Sequence, residues 1–183
     1  MEFVILGLLA VRERTIYEIK KILEETVSLF YSASFGSINS AIEKMLSKGR
    51  VSVRESVENG RFKKIYAITP VGYAALQEWL GSKIPQERVK EPALTRLFFM
   101  GLLDSKKRIQ VLADHLKTLQ ETLATLDAME AETQKAEIPP EKRDLAAFQH
   151  LTLKYGRAYY AFNIQWYQNL LDELQTSHKE TAR

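Results

Sequence analysis

The sequence predicts a mainly α-helical protein with two parts, and two features support this expectation. Residues 1–83 combine short apolar helical patterns with two β-branched segments that flank Asn59-Gly60, a dipeptide typical of a two-residue hairpin turn. Residues 93–183 instead carry apolar side chains at every third or fourth position over long stretches, which is the pattern of paired long helices. We therefore expect domains at 1–83 and 93–183, with a proline-containing linker at 84–92.

The front part is predicted to open with two helices. The segment 3–11 is apolar on nearly all sides, which indicates a buried helix over about 2–11, and it is far shorter than the roughly 20 residues that cross a bilayer. Thr15 is a good N-cap for a second helix over about 15–29. The inner side of that helix is predicted to carry Ile16, Ile19, Leu23 and Val27.

A third helix, over about 34–48, has a polar start and a single apolar side. Ser34 is expected to cap its free backbone N–H groups. The stripe of Ile38, Ile42 and Met45 would dock this helix on the rest of the domain. Its exposed side is left short, polar and uncrowded, as a helix that enters a DNA groove requires.

A basic hairpin and a fourth helix follow. Gly49 ends the third helix, and the segments 51–57 and 62–68 read as two strands joined at Asn59-Gly60. Thr69-Pro70 supplies a hydroxyl cap and a proline at the first helical position, which predicts a helix over about 70–81. A helix followed by a basic hairpin indicates a winged helix-turn-helix.

The positive charge is concentrated where this reading needs it. The net charge of the chain is only +3, but residues 1–83 hold 12 Lys and Arg against 9 Asp and Glu, whereas residues 84–183 hold 14 against 14. A local excess of positive charge around a helix and a hairpin is what phosphate binding requires. The chain has no Cys, which excludes disulfides and thiolate metal sites and fits a cytoplasmic location.

The residues expected to meet DNA lie on the third helix and the wing. Ser37, Asn39 and Ser40 would reach base edges in the major groove, and Asn39 could pair with adenine; alternatively, Asn39 only caps or solvates a surface helix. The wing residues Arg61, Lys63 and Lys64 would touch phosphate or the minor groove, although exposed hairpins also carry Lys as protection against edge pairing. Lys44 either flanks the DNA backbone or belongs to a solvated face.

The rear part is predicted to contain one short helix, 94–103, and two long ones. Asp104 can cap the first long helix, and Pro139-Pro140 breaks the chain before the second. A short connection favours an antiparallel pair, and a pair with apolar surface left over buries it in a homodimer. The first helix offers Ile109, Leu112, Leu116, Leu119, Leu123 and Leu126, and the second offers Leu145, Phe148, Tyr155, Tyr159, Phe162 and Trp166 on a matching rhythm.

Aromatic residues in the rear part allow two readings, and catalysis has little support. Tyr155 and Tyr159 belong to a cluster that suits a planar organic effector, but the helical spacing also suits a dimer core. Trp79, near the domain junction, is a candidate wall of an effector pocket or a residue that holds the two domains together.

The sequence contains no phosphate loop, nucleophile turn or helical metal spacing, so we expect neither an enzyme nor a cofactor.

Several motifs, in this order and at these separations, resemble the PadR family of transcriptional regulators. The front part matches at 17–19, 34–38, 59–61, 63–66, 68–69 and Gly72. The rear part matches at 97–99, 102–104 and 151–156, which resemble the long helical dimerisation domain of the larger subgroup with virulence-gene activators. Where the family commonly has Tyr-Pro, this chain has Asn39-Ser40, so its operator sequence would differ from the usual one.

The resemblance implies a homodimer that binds double-stranded DNA at a palindromic operator, usually as a repressor. In several members of the family a small aromatic or phenolic molecule releases the DNA, and the match to the family's Tyr-Glu motif implies a phosphate contact for Tyr17. We therefore expect a dimeric DNA-binding repressor without a membrane segment. The alternative is a winged-helix scaffold for protein interaction that does not bind specific DNA.

Overall fold

The computed structural model describes residues 1–24, 35–58, 61–85 and 91–181, and of residues 35, 58, 61 and 177–181 only the backbone is described. The chain divides into two compact units, Met1–Glu87 and Arg88–Arg183, which we call the winged unit and the helical unit. The predicted limits of 1–83 and 93–183 with a linker at 84–92 stay a prediction. No helix in the described ranges is long and apolar enough to cross a membrane.

The winged unit begins with three helices around one core, α1 (Glu2–Val11), α2 (Ile16–Ile22) and α3 (Phe35–Ser47). Thr15 caps α2 as predicted: its hydroxyl accepts from the Glu18 N–H, and the Glu18 carboxylate accepts from the Thr15 N–H at 2.7 Å. The hydrogen bonds that the carboxylate accepts, first from the Thr15 backbone N–H and then from the Thr15 hydroxyl, lower the pKa of Glu18. Ile38, Ile42 and Met45 are completely or almost completely buried, which confirms the predicted docking stripe of α3.

The wing is a two-stranded antiparallel sheet, β1 (Val51–Glu58) and β2 (Arg61–Ile68), in the register predicted for a two-residue turn. Glu58 pairs with Arg61, so two residues connect the strands; Asn59 and Gly60 themselves lie outside the described residues. At its base the wing is anchored by a backbone bridge in which Arg14 and Tyr66 exchange N–H···O bonds of 3.0 and 2.8 Å. The α1–α2 connection therefore fixes the position of β2.

The turn from α3 into β1 satisfies the open end of the helix. Gly49 adopts a positive φ of 63°, and the N–H groups of Gly49 and Arg50 donate to the carbonyls of Leu46 and Met45. This is a Schellman-type ending, which glycine favours because it has no Cβ to clash in the left-handed region. The turn directs the chain from α3 straight into the wing.

The helix α4 (Pro70–Gly81) starts as the sequence predicts, with the Thr69 hydroxyl accepting from the Gly72 N–H at 3.1 Å. Its first turn packs tightly on the α3–β1 turn, because the Thr69 N–H donates to the Arg50 carbonyl. A Cβ placed on Gly72 would overlap that carbonyl oxygen. Only glycine fits here without moving the backbone.

The helical unit contains α5 (Pro92–Phe99), a 3-10 turn (Met100–Leu102), and two long antiparallel helices, α6 (Ser105–Thr133) and α7 (Arg143–Thr181). Asp104 caps α6 as predicted, accepting from the Lys107 N–H at 2.9 Å. Glu91 caps α5 by accepting from the Ala93 N–H. Met100, Leu112, Leu116 and Leu119 are buried in one core with Tyr167 and Leu171 of α7.

The helix α7 has two apolar sides, of which one packs on α6 and the other faces outward. Its buried or core-packed residues are Leu153, Tyr160, Ile164, Tyr167 and Leu171. Three residues of the apolar stripe listed from the sequence face outward: Phe148, Tyr155 and Phe162 are 70%, 73% and 67% exposed. Both stripes recur every seven residues, and periodicity alone does not tell which one meets α6. A dimer contact through the outer stripe stays a prediction.

We expect Gly72→Ala to destabilise the winged unit severely, by about 3 kcal/mol or more, since its Cβ would overlap a backbone oxygen that cannot move aside cheaply. Urea unfolding followed by Trp79 fluorescence in a Trp166→Phe background isolates this unit. Gly81→Ala is the matched control on the same helix, because nothing lies within 4 Å of the methyl group that this substitution would add. Equal stability of the two variants would contradict the packing described for the first turn of α4.

Candidate nucleic-acid interface

The outer side of α3 is polar and small, as predicted for a helix that enters a groove. Ser37 and Ser40 are exposed, whereas Asn39 lies at the side of the helix and is half-buried. Ser40, Glu43 and Ser47 follow one another at spacings of three and four residues and form the side opposite the buried stripe. Ser34 lies outside the described residues.

The α1–α2 connection, the start of α2 and the wing line a concave cleft of about 650 Å³. Tyr17, Lys63 and Lys64 all line it, so three residues predicted separately come together. Tyr17 is 74% exposed, and both lysines are exposed. The cleft therefore has exposed ammonium and phenol groups, which can donate hydrogen bonds to a phosphate oxygen.

Arg54 also lines this cleft, and the sequence alone did not single it out. Its guanidinium contacts the Glu13 carboxylate at 2.6 Å, a pair that ties β1 to the α1–α2 connection. Of Arg61 only the backbone is described, at the start of β2. The far end of the wing further exposes an apolar pair, Val57 and Phe62, at 60% and 82%.

Lys44 has an intramolecular partner that the sequence did not reveal. Its ammonium lies 2.7 Å from the Glu2 carboxylate, which is also approached by Lys48 at 3.5 Å and Arg50 at 3.3 Å. The hydrogen bond from Lys44, aided by the charges of Lys44 and Lys48, holds the pKa of Glu2 below its ordinary value of 4.5 against the opposing effect of burial. Glu2 thus ties the start of α1 to the end of the recognition helix.

In the helical unit, the residues predicted for dimerisation fall into two groups. Leu112, Leu116 and Leu119 are buried within the chain, and Ile109 and Leu123 are half-buried, so these five offer a partner little surface. Tyr155, Tyr159, Phe162 and Trp166 are between 39% and 73% exposed on α7. A contact with a second chain stays a prediction for both groups.

Tyr155 and Tyr159, two of the candidate effector residues, do not line the cavity of about 570 Å³ in the helical unit. Trp79 belongs to the winged unit, where its ring stacks on Phe3 at 4.9 Å. The Tyr159 hydroxyl donates to the Glu91 carboxylate at 2.5 Å, and this bond, with burial, raises the pKa of Tyr159 to about 12. The cavity is instead lined by Met100, Leu112, His115 and Tyr167, among others.

The histidines and acidic residues form no metal-binding cluster in the described ranges, where no group of three or more His, Asp or Glu side chains is arranged to hold an ion. His115 packs edge-on against Tyr167 at 4.7 Å, and His150 lies 3.3 Å from the Glu130 carboxylate. Both histidines therefore have structural neighbours within the helical unit.

A winged helix-turn-helix with a basic cleft, followed by a long-helix pair, characterises a class of transcriptional regulators. The family model for the PadR-like transcriptional regulators matches residues 5–78, and the model for the virulence activator alpha C-terminal domain matches residues 89–175. The chain belongs to the PadR-like family of transcriptional regulators. The resemblance inferred from the motifs is confirmed.

Solved and curated relatives agree with this assignment. The chain is 27% identical over 128 residues to the negative transcriptional regulator PadR of Bacillus subtilis, covering 69% of this chain and 70% of the relative. A structure of smu.1604c from Streptococcus mutans is 31% identical, with a TM-score of 0.77 over 93% of this chain and 98% of that one.

Structures of Bacillus subtilis PadR share the fold as well. The complex with operator DNA has a TM-score of 0.82 at 23% identity, covering 94% of this chain and 98% of that one. The complex with p-coumaric acid has a TM-score of 0.77 at 22% identity, covering 95% and 94%. These likenesses confirm the predicted architecture, a mainly α chain with an N-terminal winged helix-turn-helix and a C-terminal long-helix pair.

We expect Glu2→Gln to lower the free energy of unfolding at pH 7 by about 1 kcal/mol, because the carboxylate loses its three cationic partners while Lys44 remains largely solvated. The folded-state pKa of Glu2 lies below its ordinary value of 4.5, so the stabilisation is present above that pH and disappears as the pH falls through the folded-state value. The wild type and Glu2→Gln should therefore converge in acid.

Urea unfolding at pH 7 and at pH 3 measures this difference. Glu132→Gln serves as the control, since among the described residues Glu132 pairs only with Lys135, on an exposed helix surface. A stability difference for Glu2→Gln that persists unchanged at pH 3 would show that the Glu2 carboxylate does not act through its charge.

Proposed function

We propose that the chain is a dimeric, sequence-specific repressor that binds palindromic duplex DNA and releases it when a small aromatic molecule binds. The observation that carries this proposal is the cleft lined by Tyr17, Lys63 and Lys64, together with the polar outer side of α3. Bacillus subtilis PadR is a negative transcriptional regulator, and its structures contain operator DNA or p-coumaric acid. A regulator of this kind works where the chromosome lies, so we place it in the cytoplasm.

On DNA, the outer side of α3 and the wing contact different parts of the duplex. The outer side of α3, with Ser37, Asn39 and Ser40, enters the major groove, where side chains read base edges. Lys63 and Lys64 approach phosphates or the minor groove from the wing, with Arg61 beside them in the sequence. Tyr17 donates a hydrogen bond from its hydroxyl to a phosphate in the cleft. Lys44 contacts the DNA backbone only when its ion pair with Glu2 opens.

The outer stripe of α7 supports a homodimer. Phe148, Tyr155 and Phe162 form a row of exposed aromatic rings, and soluble proteins rarely leave such a row in contact with water. A second copy of the same helix covers it most simply, because a twofold axis places equal surfaces against each other. The dimer then presents two copies of α3 to half-sites about one helical turn apart.

The cavity of the helical unit is the proposed site for an effector. The Tyr167 hydroxyl at its wall is buried and, within the described part of the chain, has no hydrogen-bond partner. His115 and Met100 line the same space, so an aromatic ring with a polar group could be held there. Trp79, Tyr155 and Tyr159 remain the candidates proposed from the sequence. A coupling of about 1 to 3 kcal/mol between effector and DNA is of ordinary allosteric size.

We expect the double substitution Lys63→Ala with Lys64→Ala to weaken binding to a promoter fragment by about 10-fold or more and to reduce the dependence of affinity on salt, because fewer counterions are released. Fluorescence anisotropy over a series of salt concentrations measures both quantities. The matched control is Lys106→Ala with Lys107→Ala, two exposed lysines at the start of α6.

The same titration separates the competing functions. Unchanged affinity and salt dependence in the wing variant would contradict the role given to the wing. Absence of any DNA binding by the wild type would favour the scaffold for protein interaction. Adding p-coumaric acid to the complex of the wild type with DNA tests the effector, and an unaltered affinity would exclude that compound.

We expect Phe162→Asp to convert the dimer to monomers, because two buried carboxylates would face each other across the twofold axis. Sedimentation equilibrium measures the mass of the assembly. Ala161→Asp adds the same charge to the neighbouring exposed position, outside the aromatic row, and should leave the dimer intact. Dimers of equal stability in both variants would exclude the outer stripe of α7 as the interface.

A further inference from the structure

Glu43 lies at the centre of the surface that α3 would present to DNA. It follows Ser40 by three residues and precedes Ser47 by four, and all three side chains are exposed. The opposite side of the helix carries Ile38 and Ile42, which are 0% and 2% exposed. Helical geometry therefore points the Glu43 carboxylate away from the core, between two small hydroxyls.

The charge of Glu43 is not neutralised within the described part of the chain, where the side chain has no hydrogen bond or ion pair. Burial, and after it the negative charge of Glu43, raise the pKa of Tyr66. The neutral phenol of Tyr66 does not neutralise the Glu43 carboxylate. Lys44 follows Glu43 directly, and Lys48 lies one turn later, but both ammonium groups contact Glu2 instead. The arrangement separates the two acids: Glu2 binds the cations at the edge of the helix, and Glu43 projects from its middle.

A carboxylate without a cation on this surface opposes binding to any DNA whose backbone it approaches, because phosphates are negative and accept hydrogen bonds without donating any. The opposition can be offset only by a donor in the groove. In the major groove such donors are the amino groups of cytosine and adenine. The adenine amino group lies between two acceptors, its own N7 and the O4 of the paired thymine, which disfavours a carboxylate, whereas the cytosine amino group has an acceptor on one side only, the O6 of the paired guanine.

We infer that Glu43 determines specificity by accepting a hydrogen bond from the amino group of a cytosine in each operator half-site. The same charge disfavours sequences without that cytosine, so it acts by repulsion as well as by contact. This inference rests on the proposed DNA-binding function. The neighbours Ser40 and Ser47 are short enough to let the longer Glu43 side chain reach a base.

Selection from a pool of randomised DNA duplexes tests the inference, with wild type, Glu43→Gln and Glu55→Gln compared in parallel. Glu55 is also exposed but lies on the wing, opposite Lys64, so its substitution removes the same charge away from the recognition helix. The glutamine in Glu43→Gln can pair with adenine through both of its polar atoms. We expect one cytosine of each half-site to lose about 10-fold in preference, with adenine gaining there, a change equivalent to about 1.4 kcal/mol.

Glu55→Gln should retain the wild-type base preferences. If Glu43→Gln selects the same half-site as the wild type, with cytosine still preferred at every position where it was preferred before, the inference is wrong although the proposed function stands. If the wild type itself enriches no sequence, the proposed function fails first. Thermal unfolding of Glu43→Gln checks that the exposed substitution leaves the fold unchanged.

Discussion

The position of the recognition helix depends on the junction at Gly49 and Arg50. The backbone N–H of Arg50 donates to the end of α3, and its carbonyl accepts from Thr69 at the start of α4. The guanidinium of Arg50 reaches Glu2 at the start of α1. Arg50 thus links α1, α3 and α4 and directly precedes β1, and the positive φ of Gly49 makes the sharp change of direction possible. The bare backbone of Gly72 completes the junction, because any side chain there would occupy the place of the Arg50 carbonyl.

Ion pairs hold part of the positive charge of the winged unit in fixed positions. Acidic side chains fix some of the cations in place, as Glu2 does for Lys44 and Glu13 does for Arg54. Lys63 and Lys64 lie along the wing, at the cleft that Tyr17 shares. The position of the charges on the surface, more than their total number, determines how a protein is oriented on DNA.

The helical unit follows a different principle, since its two long helices carry more apolar surface than one pairing can bury. On α7, the stripe through Leu153, Tyr160 and Tyr167 packs on α6, while the stripe through Phe148, Tyr155 and Phe162 remains outside. Both stripes repeat every seven residues, as expected of a helix that packs on two sides. A single chain therefore leaves apolar surface uncovered, which is the physical basis for proposing a dimer.

Local signals in the sequence determined where the elements begin and end. The hydroxyls of Thr15 and Thr69 and the carboxylate of Asp104 cap their helices as predicted, and Gly49 ends α3, because caps and turns depend on a few neighbouring residues. Only the tertiary structure decided that α7 packs through Tyr167 rather than Phe162, that Lys44 is held by Glu2, and that Glu43 points outward without a cation. These three features depend on contacts between residues far apart in the chain, and neither the periodicity nor the composition of a sequence indicates which distant residues meet.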